Sequence, residues 1–194
     1  MKTSSPLKMS LIRRVAPIAL LAAALTPLGI HAQPAQPVPP SEPVPSLAGT
    51  WTLLPDLSTD LTPWKTLDLT IAIAGPSITI KDSFAAGARA IDTVAQLDLS
   101  RPVSLVPIPW WADNRHIGAY IGGDRTERVR ARWVDDQRIL RTEGDLVLDT
   151  QQGSRAVNIL TDYQISPSGN QLTVIQLRST REVPIVYVFK RVSP

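Results

Sequence analysis

Three arginines occupy alternate positions in the run Asp124-Arg125-Thr126-Glu127-Arg128-Val129-Arg130-Ala131-Arg132-Trp133. On a strand, Arg128, Arg130 and Arg132 point one way, and Val129, Ala131 and Trp133 point the other. Turned into a cavity, three guanidinium forks would suit a carboxylate or phosphate, and so an anionic ligand. Turned outward, they form a solvated face with acids opposite. A hairpin turning at Asp136-Gln137 sets Arg130 across from Glu143 and Arg128 across from Asp145. Trp133, Leu140, Leu146 and Leu148 read as the core side, which favours the outer position for the arginines. The second unusual run is Trp110-Trp111-Ala112-Asp113-Asn114-Arg115-His116. Two adjacent Trp on an extended segment cannot both point inward. In one reading buried aromatics pin a loop. In the other, one Trp stands at the rim of a pocket with Asp113, Arg115 and His116, and Tyr120 lies near the same entrance.

Other chemistry has less to work with. The chain has no Cys, which excludes a disulfide framework, Cys-ligated zinc or iron–sulfur sites, thiol catalysis and a Cys-linked lipid anchor. It has two His, and His31 falls in an expected export signal, leaving His116 alone. One His cannot build a multi-His metal site, and no Ser in a nucleophile elbow accompanies it. Gly118–Gly123 lacks the Lys-Ser/Thr and the following helix of a phosphate loop. The acids read as scattered over turns and polar faces, without EF-hand spacing or an identifiable acid/base pair. No catalytic residue, metal site or cofactor is expected, and an enzyme has the least support.

The elements that must position these residues begin after two leading segments. Residues 1–32 read as a cleaved signal. A basic stretch to Arg14 precedes an apolar run from Val15 to Ile30, with small Ala32 before the cut. That run is short for a membrane span and is interrupted by Pro17 and Pro27, so no integral membrane anchor is expected. Arg13-Arg14 leaves twin-arginine export open beside the general route. The protein is therefore expected in the periplasm or outside the cell. Residues 33–46 hold six prolines and read as a semi-rigid extended linker. The signal also changes the charge. The formal net of +3 includes Lys2, Lys8, Arg13 and Arg14. Taking those four from the 20 basic residues leaves 16 against 17 acids, a net of −1. Such a chain has no global field for nucleic acid or anionic lipid, and no nucleic-acid partner is expected.

From Leu47 the dominant period is two. Leu67, Leu69, Ile71 and Ile73 alternate with polar or small residues, as do Ile78 and Ile80, then Ile91, Ala95, Leu97 and Leu99. Leu140, Leu146 and Leu148 follow, then Val157, Ile159, Tyr163 and Ile165, and Val183, Ile185, Tyr187 and Phe189 close the series. One apolar and one wet face per run is the pattern of antiparallel strands. Gly75-Pro76, Asp135-Asp136-Gln137, Gln151-Gln152-Gly153 and Ser166–Asn170 supply turns. The pattern predicts an all-β, antiparallel up-and-down meander of about eight to ten strands over 47–194, in a barrel or strongly curled sheet. Residues 101–124, with Pro102, Pro107 and Pro109, read as a long insertion with room for one short strand.

Two ends of this segment carry a resemblance. Leu47-Ala48-Gly49-Thr50-Trp51-Thr52-Leu53, the hairpin from Tyr163 to Val174, and Tyr187-Val188-Phe189-Lys190-Arg191 resemble secreted bacterial lipocalin-like proteins, with Ser168 standing where those have Asp. Gly49 and Trp51 match the Gly-x-Trp of the first strand, and the resemblance makes Arg191 the late arginine that stacks on the Trp. It implies a lipocalin-like barrel and, by analogy only, a bound ligand.

The first functional expectation is an exported, monomeric, non-enzymatic binding protein holding a small apolar or amphipathic ligand. The alternative is an envelope interaction or structural protein whose filled barrel acts through its surface. An open apolar pocket of ~300 Å³ or more would favour the first.

Overall fold

The structure, a computed structural model, describes residues 44–109 and 119–192. The expected signal, most of the linker, Trp110, Trp111 and His116 lie outside the described residues.

Eleven strands follow one another: β1 (Gly49–Leu53), β2 (Thr66–Ala74), β3 (Ser77–Ala86), β4 (Arg89–Asp98), β5 (Ser104–Pro107), β6 (Tyr120–Ile121), β7 (Thr126–Val134), β8 (Ile139–Thr150), β9 (Gly153–Ile165), β10 (Gln171–Arg178) and β11 (Ile185–Arg191). They form one antiparallel sheet in the order β4-β3-β2-β1-β11-β10-β9-β8-β7-β5, with β6 pairing β8. The sheet curls into a nearly closed barrel. The first and last strands pair, Trp51 opposite Arg191 and Leu53 opposite Phe189. The remaining seam lies between β4 and β5, where the Ser104 hydroxyl accepts from the Asp98 amide at 3.0 Å. Among the described residues of 101–124 there are two short strands, β5 and β6, rather than the one expected. The last strand starts at Ile185, and Val183, expected within it, is 67% exposed ahead of it.

Alternation decides what enters the barrel. The end nearest the β1–β11 joint is filled by Trp51, Ile71, Ile78, Leu97, Leu140, Leu172 and Phe189, all at most 3% exposed. Leu146, Leu148, Val157 and Ile159 form a second buried cluster farther along β8 and β9, with Ile108 and Ile121 against it. Between the two clusters the inward positions of the same strands change character. On β8 they are Thr142 and Gly144; on β9 Thr161 lies opposite Thr142 and Ile159 opposite Gly144, with Tyr163 one inward position farther on, opposite Leu140. A polar belt therefore crosses the interior between two apolar layers.

The β1 end is locked by side chains. The Arg191 guanidinium lies over the Trp51 ring, 4.1 Å from its centroid. It also donates to three carbonyls: Gly169 (2.7 Å, from Nε), Ala48 (2.8 Å, from Nη1) and Ser46 (2.7 Å, from Nη2). Trp51 Nε1 donates to Leu47 O at 3.1 Å. The end of the linker is thus fastened across the barrel. Gly49 makes the close approach possible: its φ is +143°, and a Cβ there would lie 2.5 Å from Arg191 Nη1.

Candidate functional site

The barrel interior holds a partly open cavity of about 240 Å³. Its volume falls below the ~300 Å³ expected for a drug-sized apolar pocket. Its apolar wall includes Leu67, Leu69, Ile80, Leu146, Val174 and Phe189. The polar belt supplies the rest, led by Asp82, Glu127, Tyr163, Gln176 and Arg178. One side is bordered by Asp60, Leu61 and Thr62 of the β1–β2 connection and by Pro107, Ile108 and Pro109, the segment running into Trp110.

The placement of the two acids corrects the reading of scattered surface carboxylates. Asp82 continues the inward parity of Ile78 and Ile80 on β3, opposite Leu69 and Thr93. Glu127 continues the parity of Val129 on β7, opposite Val106 of β5. Its carboxylate fits because β8 carries no side chain at Gly144, where a Cβ would collide with it. The Asp82 carboxylate accepts one hydrogen bond, from the Thr93 hydroxyl at 3.2 Å. Among the described residues, Glu127 has no hydrogen bond or ion pair of its own, and neither does the Tyr163 hydroxyl. Burial pushes Asp82 up to about 6, opposed by the Thr93 bond. Burial likewise raises Glu127 to about 6, with the Arg178 charge pulling down and Asp145 pushing up. Tyr163 is raised chiefly by burial and then by the charges of Asp82 and Glu127, so its phenol stays protonated and able to donate. Arg178 is tied into the belt: its Nε donates to Gln176 Oε1 at 2.7 Å, and Gln176 Nε2 donates to Thr161 Oγ1 at 3.3 Å.

The residues singled out from sequence are not gathered here. Arg128, Arg130 and Arg132 are exposed on the outer face of β7, so the reading that had them line the cavity for an anionic ligand is corrected. The register is Arg128 opposite Asp145 and Arg130 opposite Glu143. Arg130 bonds Asp145 at 2.9 Å, and Arg132 bonds Glu143 at 2.8 Å. The physical reason is parity: Val129 is drawn into the core, which sends its neighbours out. Exposed pairs of this kind contribute little. Arg130→Ala is expected to move the thermal unfolding midpoint by less than about 3 °C, measured by calorimetry. Tyr120, in β6, is 71% exposed and does not line the cavity. Trp110 and Trp111 fall outside the described residues.

Among the described residues no three His, Cys, Asp or Glu side chains form a metal-holding group, and no helix is long and apolar enough to cross a membrane. No protein-family model matches the chain, and no curated protein matches it as a relative.

Proposed function

We propose that this chain is an exported, non-enzymatic binding protein that holds a small amphipathic ligand inside the barrel. One observation carries the reading. The barrel interior keeps a cavity of about 240 Å³ lined by polar groups that the protein itself leaves under-satisfied. The Glu127 and Tyr163 oxygens open onto the cavity, where a bound molecule can reach them. A barrel serving only as a scaffold would gain stability by filling that space with Leu and Ile, as its other end does. The Gly49, Trp51 and Arg191 arrangement supports the same reading, since the resemblance to lipocalin-like proteins implies it. The volume equals about eight liquid waters, which sets the ligand's size.

Native mass spectrometry of the protein, purified gently from its own host, tests this. The expected result is an extra mass that leaves on denaturation. Ala95 of β4 lines the cavity, and Ala95→Phe fills it. That variant should fold and lose the extra mass. A clean mass in the unaltered protein, even after incubation with host extract, would move the function to the outer surface.

A further inference from the structure

The cavity is electrically lopsided. Among the described residues its lining includes the acids Asp60, Asp82 and Glu127 against one base, Arg178, which is engaged with Gln176. Asp82 comes from β3 and Glu127 from β7, strands on either side of the β4–β5 seam. Asp82, Glu127 and Tyr163 all line the same cavity. Their hydrogen-bonding needs are complementary to one kind of partner. Among the described residues the Asp82 and Glu127 carboxylates accept one protein hydrogen bond between them, from Thr93. A carboxylate or phosphate ligand would meet like charges there. A compact cation would find carboxylate acceptors there for charge-assisted hydrogen bonds. The neighbouring wall suits an organic body: the Trp64 and Phe84 rings border the cavity with their centroids 5.8 Å apart, and the Arg89 guanidinium already lies over Trp64, 5.9 Å from its centroid.

We infer that the ligand is a small organic amine, held as its ammonium ion by the carboxylates of Asp82 and Glu127, with its apolar body in the rest of the cavity. The inference rests on the small-ligand reading above. Size limits the class to amines of roughly ten non-hydrogen atoms, given a cavity of about eight waters. The charged and titratable groups facing the site are Asp60 from the β1–β2 connection, Asp82, Glu127, Tyr163, Arg178 and Tyr187. With both acids titrating near pH 6, ammonium binding strengthens as pH rises through 6 and weakens below it.

The test is titration calorimetry on the full protein with three probes of one shape: 2-phenylethylamine, 2-phenylethanol and phenylacetate. At pH 8 the amine should bind at least about tenfold more tightly than the alcohol, and phenylacetate least. At pH 5 the amine's preference should shrink by about tenfold. Asp82→Asn and Glu127→Gln, both isosteric, should each remove most of the amine's preference over the alcohol. Alcohol binding without amine preference, or an amine preference untouched in both variants, would overturn the amine assignment and leave the small-ligand reading standing. Failure of all three probes to bind, with a clean native mass, would overturn both.

Discussion

Replacing Arg191 by Ala is expected to lower the thermal unfolding midpoint by about 6–12 °C. The guanidinium stacks on Trp51 and fastens Ser46, Ala48 and Gly169 to the last strand. Hydrogen bonds to charged groups contribute about 1.5–3 kcal/mol each when well shielded, and less when exposed, as the bond to Ser46 is. The cation–π contact adds about 1 kcal/mol. With the ordering of a long side chain set against these, a net loss of about 3 kcal/mol follows, and each kcal/mol shifts the midpoint by about 2–4 °C at this size. Arg191→Lys should recover less than half, because one ammonium cannot reach three carbonyls from a planar fork. Gly49→Ala should act through the same clamp, since its new Cβ would occupy the place of Arg191 Nη1. A midpoint in Arg191→Ala within 2 °C of the unaltered protein would show that the clamp is ornamental.

The second large effect is one of pH. In the unfolded chain Asp82 and Glu127 titrate near 3.8 and 4.5, and burial raises both to about 6 in the barrel. The folded state therefore holds more protons than the unfolded state between those values, and stability falls as pH rises through the window. Below pH 4 the penalty is absent; above pH 6 it is complete. Both side chains keep contact with the cavity, so screening reduces the combined penalty to about 2–3 kcal/mol. Asp92, Asp98, Asp124 and Asp145 pull the other way. Hydrogen bonds hold them below the usual carboxylate range, and their support is lost only as pH drops below about 4. The ligand-free protein should be most stable at about pH 4–5, and with roughly half of the penalty, about 1–1.5 kcal/mol, still to come above pH 5, its midpoint should be about 2–6 °C higher at pH 5 than at pH 7.5. The Asp82→Asn, Glu127→Gln double variant should flatten that slope and be the more stable protein at pH 7.5. A midpoint that rises from pH 5 to 7.5 would contradict this account.

Much of the fold was legible because one period governs the chain. The runs around Leu69, Ile80, Leu97, Leu140, Ile159 and Phe189 each commit a face to the core, and a slip of one residue would reverse every one of them. The Arg130–Glu143 and Arg128–Asp145 register followed from the turn position alone. The cavity was less legible, although its signal was present in the same alternation. Carrying the parity of Ile78 and Ile80 one step further places Asp82 inside. Carrying that of Trp133, Ala131 and Val129 one step back does the same for Glu127. A charged residue at the end of an apolar face reads naturally as the point where the strand leaves the core. Only the three-dimensional closure shows that these strands continue into an enclosed space. The arginine run drew attention by composition, yet its side chains lie where water screens them. The seam was illegible because β5 is four residues long and bounded by prolines, below the length at which alternation can be recognised.

The joint between the first and last strands has a kinetic meaning. Every other pairing in the sheet except that of β5 with β7, and the short β6–β8 contact, links consecutive strands, so hairpins can form locally and early. The β1–β11 pairing joins the extremes of the domain and cannot form until the final strand has been made. Distant closure of this kind is slow, on the order of milliseconds to seconds for all-β topologies. Until it occurs, two strand edges and the Trp51 indole stand open to other chains. Arg191, on the last strand to arrive, acts as the latch on that closure, so its loss should delay folding and favour aggregation during it as well as weaken the finished barrel.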